Sequence, residues 1–206
     1  MHRRWNLCYI TSRKDLRNQR LDEFLYEAIA AGVDLIQIRE KDLATRDLLR
    51  LAAPAITRAR GTACRIVIND RMDAALGLGA DGVHLGHHSM PATAMRSLAP
   101  PGFLIGVSCH SLEDALAAEA DGADYALLGP VFETPSKVHF GPPLGLDKFQ
   151  EAAARVRIPV LALGGITPER VRSCLEAGAA GIAGIRIFQD APSLSQRVEE
   201  VRAQFL

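Results

Sequence analysis

A helix-to-strand junction that recurs four times constrains this chain more than any other feature. Ala30-Ala31-Gly32-Val33-Asp34, Leu78-Gly79-Ala80-Asp81, Ala120-Asp121-Gly122-Ala123-Asp124 and Glu176-Ala177-Gly178-Ala179-Ala180 each close a helical pattern with glycine and lead into an apolar run. Glycine takes the left-handed cap, and the short side chains around it let helix and strand pack closely. Short apolar runs alternate with helical patterns about eight times along the chain. Continuous apolar strands separated by helices imply a parallel sheet covered by helices. Eight such units in 206 residues imply an α/β chain folded as a closed (β/α)8 TIM barrel, one domain over residues 1–206. An open doubly wound sheet is the alternative, but no GxGxxG follows the first strand.

The elements follow from spacing. Strands are expected at Leu7–Ile10, Val33–Arg39, Arg65–Ile68, Gly82–Leu85, Leu104–Val107, Asp124–Leu128, Val160–Leu163 and Gly181–Ile187. Leu21, Phe24, Leu25, Ala28 and Ile29 share one face of a helix over Leu21–Ala31. Further helices are expected from a Thr45 N-cap towards Ala59, over Met72–Leu78, over Pro91–Leu98 with Pro91 in the first turn, from Ser111 with a capping box, over Leu146–Val156, from Thr167-Pro168-Glu169 to Ala177, and over Leu194–Phe205.

The totals exclude some functions. With 24 basic and 24 acidic residues the formal charge is zero, so neither a nucleic-acid surface nor a polybasic membrane patch is expected. An anionic ligand must then be held by local groups. No apolar run reaches membrane-spanning length, and no apolar stretch follows the basic N-terminal residues as a secretory signal requires. Cys8, Cys64, Cys109 and Cys174 have no metal-like spacing; the first three lie in or beside apolar runs, which points to buried reduced thiols in a cytoplasmic protein.

In a (β/α)8 barrel the chemistry sits at the C-terminal ends of the strands. Strand two ends Gln37-Ile38-Arg39-Glu40-Lys41, and period-two alternation turns Gln37, Arg39 and Lys41 to one side; an ion pair of Arg39 with Glu40 or Asp70 is the structural alternative. Strand three ends Asn69-Asp70-Arg71. Strand four ends His84-Leu85-Gly86-His87-His88-Ser89; zinc at its histidines lacks a further ligand, so His84 reads as a packed residue. Strand five ends Ser108-Cys109-His110, with His110 suited to acid/base work. Strand six empties into Gly129-Pro130-Val131-Phe132-Glu133-Thr134-Pro135-Ser136-Lys137, and the loop runs on through Gly141, Pro142 and Pro143 to Gly145. It is hinged and stiff by turns, as a lid should be. Strand seven ends Gly164-Gly165 before a helix start, whose N–H groups suit an anion. Strand eight ends near Arg186. Cations at Arg39/Lys41 and at Arg186 would serve two phosphorylated ligands.

Taken together, Gln37-Ile38-Arg39-Glu40-Lys41, Ile68-Asn69-Asp70-Arg71, Gly82-Val83-His84-Leu85-Gly86, Gly106-Val107-Ser108-Cys109-His110-Ser111, the Gly129–Lys137 stretch and Leu163-Gly164-Gly165-Ile166 resemble the thiamine-phosphate synthase/TenI family. The matches occur in order from Tyr9 to about Ile187. The resemblance implies a (β/α)8 barrel that joins hydroxymethylpyrimidine diphosphate to thiazole phosphate, with Mg²⁺ and release of pyrophosphate. By the same resemblance Gln37 and Ser108 would contact the pyrimidine, and Arg39, Lys41, Asn69 and Lys137 would hold the diphosphate. Asp70 would help bind Mg²⁺. Thr134, Ser136, Gly164 and Gly165 would take the thiazole phosphate, with Arg186 in place of the family's phosphate-binding serine near the last strand. Lys137, Arg39, His110 and Ser108 are the catalytic candidates. The synthase's usual second Mg²⁺-binding Asp is Ser89 here. A TenI-type thiazole tautomerase, without a metal and with His110 as proton shuttle, is the alternative; a non-catalytic binder of phosphorylated ligands is a third. The expected partners are the two small phosphorylated substrates, with a homo-oligomer left open.

Overall fold

The computed structural model describes residues 6–16, 19–86, 88–134 and 142–205. Eight strands form it: β1 (Leu7–Ile10), β2 (Leu35–Ile38), β3 (Arg65–Asn69), β4 (Gly82–Leu85), β5 (Leu104–Cys109), β6 (Tyr125–Leu128), β7 (Val160–Leu163) and β8 (Gly181–Gly184). Every neighbouring pair is parallel, and β8 pairs with β1 to close the barrel. The helices are α1 (Leu21–Ala30), α2 (Thr45–Ala59), α3 (Met72–Leu78), α4 (Ala92–Leu98), α5 (Leu112–Ala120), α6 (Gly145–Arg155), α7 (Pro168–Glu176), α8 (Arg186–Gln189) and α9 (Leu194–Arg202), with a closing 3₁₀ turn. Among the described residues no helix is long and apolar enough to cross a membrane.

Strand alternation divides the core in two. Outward residues such as Ile36, Ile68, Val83, Ile105 and Leu128 pack under the helices. Inward residues Cys8, Leu35, Val67, Tyr125, Leu127, Leu161 and Ala183 fill the barrel. The barrel is therefore solid below its mouth, and polar inward residues can collect only at the strand ends.

The recurrent junction does two jobs. Gly32, Gly79, Gly122 and Gly178 all adopt positive φ, between 63° and 87°, as the caps require. The aspartates that follow them form a repeated clamp at the N-terminal rim. Asp34 accepts from the Leu7 N–H at 2.9 Å, Asp81 from Ile66 N–H at 2.8 Å and Asp124 from Ile105 N–H at 2.7 Å. Each also pairs with an arginine: Arg202, Arg65 and Arg96 respectively. The fourth copy has Ala180 at this position and lacks the carboxylate.

Some expected boundaries move. Thr45 is the first helical residue, not the cap; Ala44 is the cap, and the Thr45 hydroxyl accepts from Arg71 instead. Pro91 caps α4 from outside it. The largest correction concerns Gly181–Ile187: the strand stops at Gly184, and Arg186 opens the short helix α8. Ile187 and Phe188 of this helix are both buried. Phe188 packs against Tyr9 of β1, ring centroids 5.7 Å apart.

Candidate active site

Four polar side chains line the interior at the C-terminal ends of β2 to β5. Gln37, 2% exposed, donates through Nε2 to Asn69 Oδ1 at 2.9 Å. Asn69 in turn donates to Asp70 Oδ2 at 2.7 Å. His84, 1% exposed, contacts Ser108 Oγ through Nε2 at 2.8 Å and the Tyr125 hydroxyl through Nδ1 at 3.1 Å. Gln37, Asn69 and Ser108, three of the residues expected to bind substrate, thus form one arc, and His84 joins it as a packed, hydrogen-bonded residue.

Asp70 sits at the rim beside this arc. It is the non-glycine residue with positive φ (58°) among those described, a backbone state that aspartate tolerates better than most. The turn aims its carboxylate at Gly86 and Ser89: Oδ1 accepts from Gly86 N–H at 3.2 Å and from the Ser89 hydroxyl. Partial burial works to raise the carboxyl's pKa, but the Ser89, Gly86 and Asn69 hydrogen bonds and the Lys41 charge outweigh it and hold Asp70 below its ordinary value. A cavity of about 290 Å³ opens here between the β2 and β3 ends, lined by Lys41, Asn69, Asp70 and Arg71 among others. A larger, shallow groove lined by Tyr26, Ala53, Pro54, Thr57 and Arg58 lies on the outer helices and brings no site candidate with it. Asp73 pairs with Arg71 through both oxygens, and that contact holds its carboxyl down at about 2.

Arg39 does not pair with Glu40. Glu40 is buried and accepts from Thr11 Oγ1 at 2.6 Å and from the Arg13 backbone N–H. The same Thr11 oxygen accepts from the Arg39 N–H at 2.8 Å, locking the β1 and β2 ends together. The charge of Arg39 acts on the buried His84, as does that of Asp70 in the opposite sense, which places both near the mouth. Lys41 is exposed on the cavity wall.

His110 is fixed from two sides. Ser111 caps α5, accepting from Asp114 N–H at 3.0 Å, while Asp114 Oδ2 reaches back to the His110 N–H at 2.8 Å. The imidazole Nδ1 lies 2.5 Å from the Gly129 carbonyl. Since a carbonyl only accepts, Nδ1 carries the proton, and Nε2 is the basic nitrogen of the neutral ring.

The start of the β6 loop is tied to the end of β7. Val131 N–H donates to Leu163 O at 2.8 Å and Phe132 N–H to Gly164 O at 3.1 Å. Gly164 and Gly165 have φ of 96° and 65°; a Cβ on Gly165 would lie 2.6 Å from the Glu133 carbonyl oxygen. Arg170 clamps the junction, donating to Gly165 O at 2.8 Å with its guanidinium 4.6 Å from the Phe132 ring centroid. Thr134 lies within the described residues; Ser136, Lys137 and His87 lie outside them. Arg186 is exposed at the start of α8.

Among the described residues no group of three or more His, Cys, Asp and Glu gathers to hold a metal. Mg²⁺ does not need one: it binds through one or two carboxylates together with substrate phosphates and water. Asp70, held ionised beside the Ser89 hydroxyl, fits that requirement.

Strand-end readings missed Tyr125, which sits low on β6 in an apolar run, as well as the Arg170 clamp and α8. A signal for Tyr125 existed in its opposite number, Gly106, whose missing side chain leaves room for a large inward neighbour.

The closed parallel barrel with its polar residues gathered at one mouth defines the class, a (β/α)8 enzyme barrel. The chain belongs to the thiamine monophosphate synthase family, whose model matches residues 7–188. A thiamine-phosphate synthase of Chlorobium luteolum is 42% identical over 197 residues, covering 96% of this chain and 91% of that protein. One from Methanocella arvoryzae is 39% identical over 204 residues, covering 98% and 96%. Among solved structures, the thiamine phosphate pyrophosphorylase of Pyrococcus furiosus superposes with a TM-score of 0.87 at 35% identity, covering 98% of this chain and 95% of that one.

Proposed function

We propose that this chain is a thiamine-phosphate synthase, joining hydroxymethylpyrimidine diphosphate to thiazole phosphate and releasing pyrophosphate. The observation that carries the reading is the juxtaposition of the buried Gln37–Asn69 pair with Asp70, Ser108 and the Lys41-lined cavity on one rim. A heteroaromatic ring suits the polar arc, and a diphosphate suits the cations beside it.

In the reaction the bond from the pyrimidine's methylene carbon to the diphosphate oxygen breaks, and the thiazole nitrogen bonds to that carbon. Charge builds up on the departing diphosphate, so groups fixed near it lower the barrier. Arg39, Lys41 and Asn69 would hold the leaving group, and Gln37 and Ser108 would orient the ring. Lys137, carried over from the family motif, would add a cation from the β6 loop. Asp70 and Ser89 would hold Mg²⁺, which when bound neutralises diphosphate charge. Thr134, Ser136 and the Gly164-Gly165 turn would seat the thiazole phosphate, with Arg186 opposite. Barrel phosphates commonly lie between the ends of strands seven and eight at a short extra helix, and α8 is such a helix. Residues 1–206 act as one domain, with two small phosphorylated substrates as partners; a homo-oligomer is compatible with this chemistry. The four free, buried thiols accord with a reducing compartment, the cytoplasm.

One observation favours a second reading. His110, with Nδ1 held on the Gly129 carbonyl and Nε2 as its base, is built as a proton shuttle, the equipment of a TenI-type tautomerase. Supplying both synthase substrates and following pyrophosphate with and without Mg²⁺ separates the readings. Mg²⁺-dependent release is expected. Tautomerisation of the thiazole carboxylate phosphate, lost in His110→Ala and without pyrophosphate release, would replace the synthase reading; binding without turnover would leave a ligand-binding barrel.

A further inference from the structure

The end of β2 carries four charged residues in a row, Arg39, Glu40, Lys41 and Asp42, whose formal charges sum to zero. A neutral turn holds an anion poorly, because each cation has a carboxylate beside it in the chain that competes for it. Among the described residues that competition does not occur. The ion pairs of Glu40 and Asp42 run to the loop between β1 and α1, and neither Arg39 nor Lys41 takes part in one.

Arg13 is where the two carboxylates converge. Its Nη2 donates to Asp42 Oδ2 at 2.6 Å, and its Nε lies 3.6 Å from Glu40 Oε2. Its backbone N–H, 3.2 Å from each Glu40 oxygen, adds to the hold, and the Thr11 hydroxyl donates to Oε1 at 2.6 Å. Lys14 reaches the same Asp42 oxygen at 2.9 Å. The Glu40 side chain is 3% exposed, so its charge depends on these donors and not on water. Asp42 is 40% exposed and follows Lys41 in a surface turn, so the charges of Arg13 and Lys14 set the direction it faces. With those two residues the patch holds four cations against two carboxylates. The cations left over face the mouth: the charge of Arg39 acts on His84 and that of Lys41 on Asp70.

We propose that Arg13 is a positioning residue for the cations at the end of β2. By holding Glu40 and Asp42 it keeps both carboxylates off Arg39 and Lys41, and so leaves those two side chains to an incoming diphosphate. Arg13 has this role only if Arg39 and Lys41 hold the diphosphate, as read above.

Calorimetric binding of inorganic pyrophosphate to the full chain tests this. Arg13→Met should weaken binding about fivefold, the worth of a good surface ion pair handed to the competing carboxylate. Adding Asp42→Asn should return the affinity to within about twofold of wild type. A residue that merely braced the loop after β1 would behave in the opposite way, since Asp42→Asn removes a further tie of that loop and would deepen the loss. Glu151→Gln, which takes an equal charge from the exposed face of α6, should restore nothing in the Arg13→Met background. In turnover, KM for the pyrimidine diphosphate should rise in Arg13→Met while KM for the thiazole phosphate stays unchanged. Should Arg13→Met not fold, Arg13→Gln serves: it keeps a hydrogen-bond donor for the carboxylates without the charge, and a loss rescued by Asp42→Asn is again expected. Wild-type affinity in the folded Arg13 variant, or a loss that Asp42→Asn fails to reverse, overturns the proposal. Arg39→Ala and Lys41→Ala tell the two readings apart. If both bind pyrophosphate as wild type does, the diphosphate reading falls and takes the role of Arg13 with it; if both weaken binding and the Arg13 variants do not, the role of Arg13 alone falls.

Discussion

Ser89 donates its hydroxyl hydrogen to Oδ1 of Asp70 while its oxygen accepts the Gly86 N–H. Asp70 thus has neutral donors on both oxygens, and one of them stands where the synthase family usually offers a second carboxylate. A hard divalent cation gains more from a carboxylate than from a hydroxyl.

Ser89→Asp should therefore lower the Mg²⁺ concentration for half-maximal pyrophosphate release by about tenfold. Without Mg²⁺ the two carboxylates repel, so the variant should melt below wild type and recover when Mg²⁺ is added. Asp70→Asn should abolish the Mg²⁺ response. An unchanged Mg²⁺ titration in both variants would remove Asp70 from the metal site.

The cations at the end of β2 should act on the diphosphate and little on the fold, since the described fold contacts of this turn run through Thr11 and Glu40. Arg39→Ala and Lys41→Ala should each weaken diphosphate binding by about tenfold to a hundredfold, the range for hydrogen bonds to charged groups. Lys137→Ala should remove synthase activity while leaving the melting temperature intact. Competition binding with inorganic pyrophosphate checks the first pair, and wild-type turnover in the third would refute its role.

Stability should respond at the other rim. Asp124→Ala strands the Ile105 N–H and removes the carboxylate that pairs with Arg96, at a cost of about 2 kcal/mol. For a chain of this length that lowers Tm by about 4–8 °C. Turnover at 25 °C should be unchanged, because no proposed substrate contact lies within that clamp.

Buried His84 should make the protein acid-sensitive. Its folded pKa is lowered from 6.5 to about 3, burial being the main cause. Between those values the unfolded chain binds the extra proton, so stability rises with pH there: it is fully present above 6.5 and is lost as pH falls towards 3. The slope from this one group is at most about 1.4 kcal/mol per pH unit. Denaturant titrations of His84→Gln should lack that slope, and an identical pH profile would show that His84 is not held neutral.

The barrel was legible because its signals are local and repeated. Helix, glycine and apolar strand recur in one chain order, and six of the eight strands begin at the residue that the apolar runs indicate. The site was legible as a set of strand ends, since topology alone brings Gln37, Asn69, Asp70 and Ser108 to one mouth. Boundaries failed where side-chain partners decided them. Thr45 spends its hydroxyl on Arg71, not on a cap, and the apolar run through Ile187 continues as a helical turn because Phe188 finds Tyr9. Pairings such as Ser89 with Asp70 or Tyr125 with His84 join residues 19 and 41 positions apart; periodicity carries no trace of them.

The aspartate clamps of the lower rim, repeated at Asp34, Asp81 and Asp124, divide labour within the molecule. These bolts hold the staves together at one end, and the proposed substrate-handling groups stand at the other. Substitutions at the mouth can then explore new ligands without loosening the hoop beneath, and the bare position at Ala180 marks the one copy of the junction where a further bolt could be added.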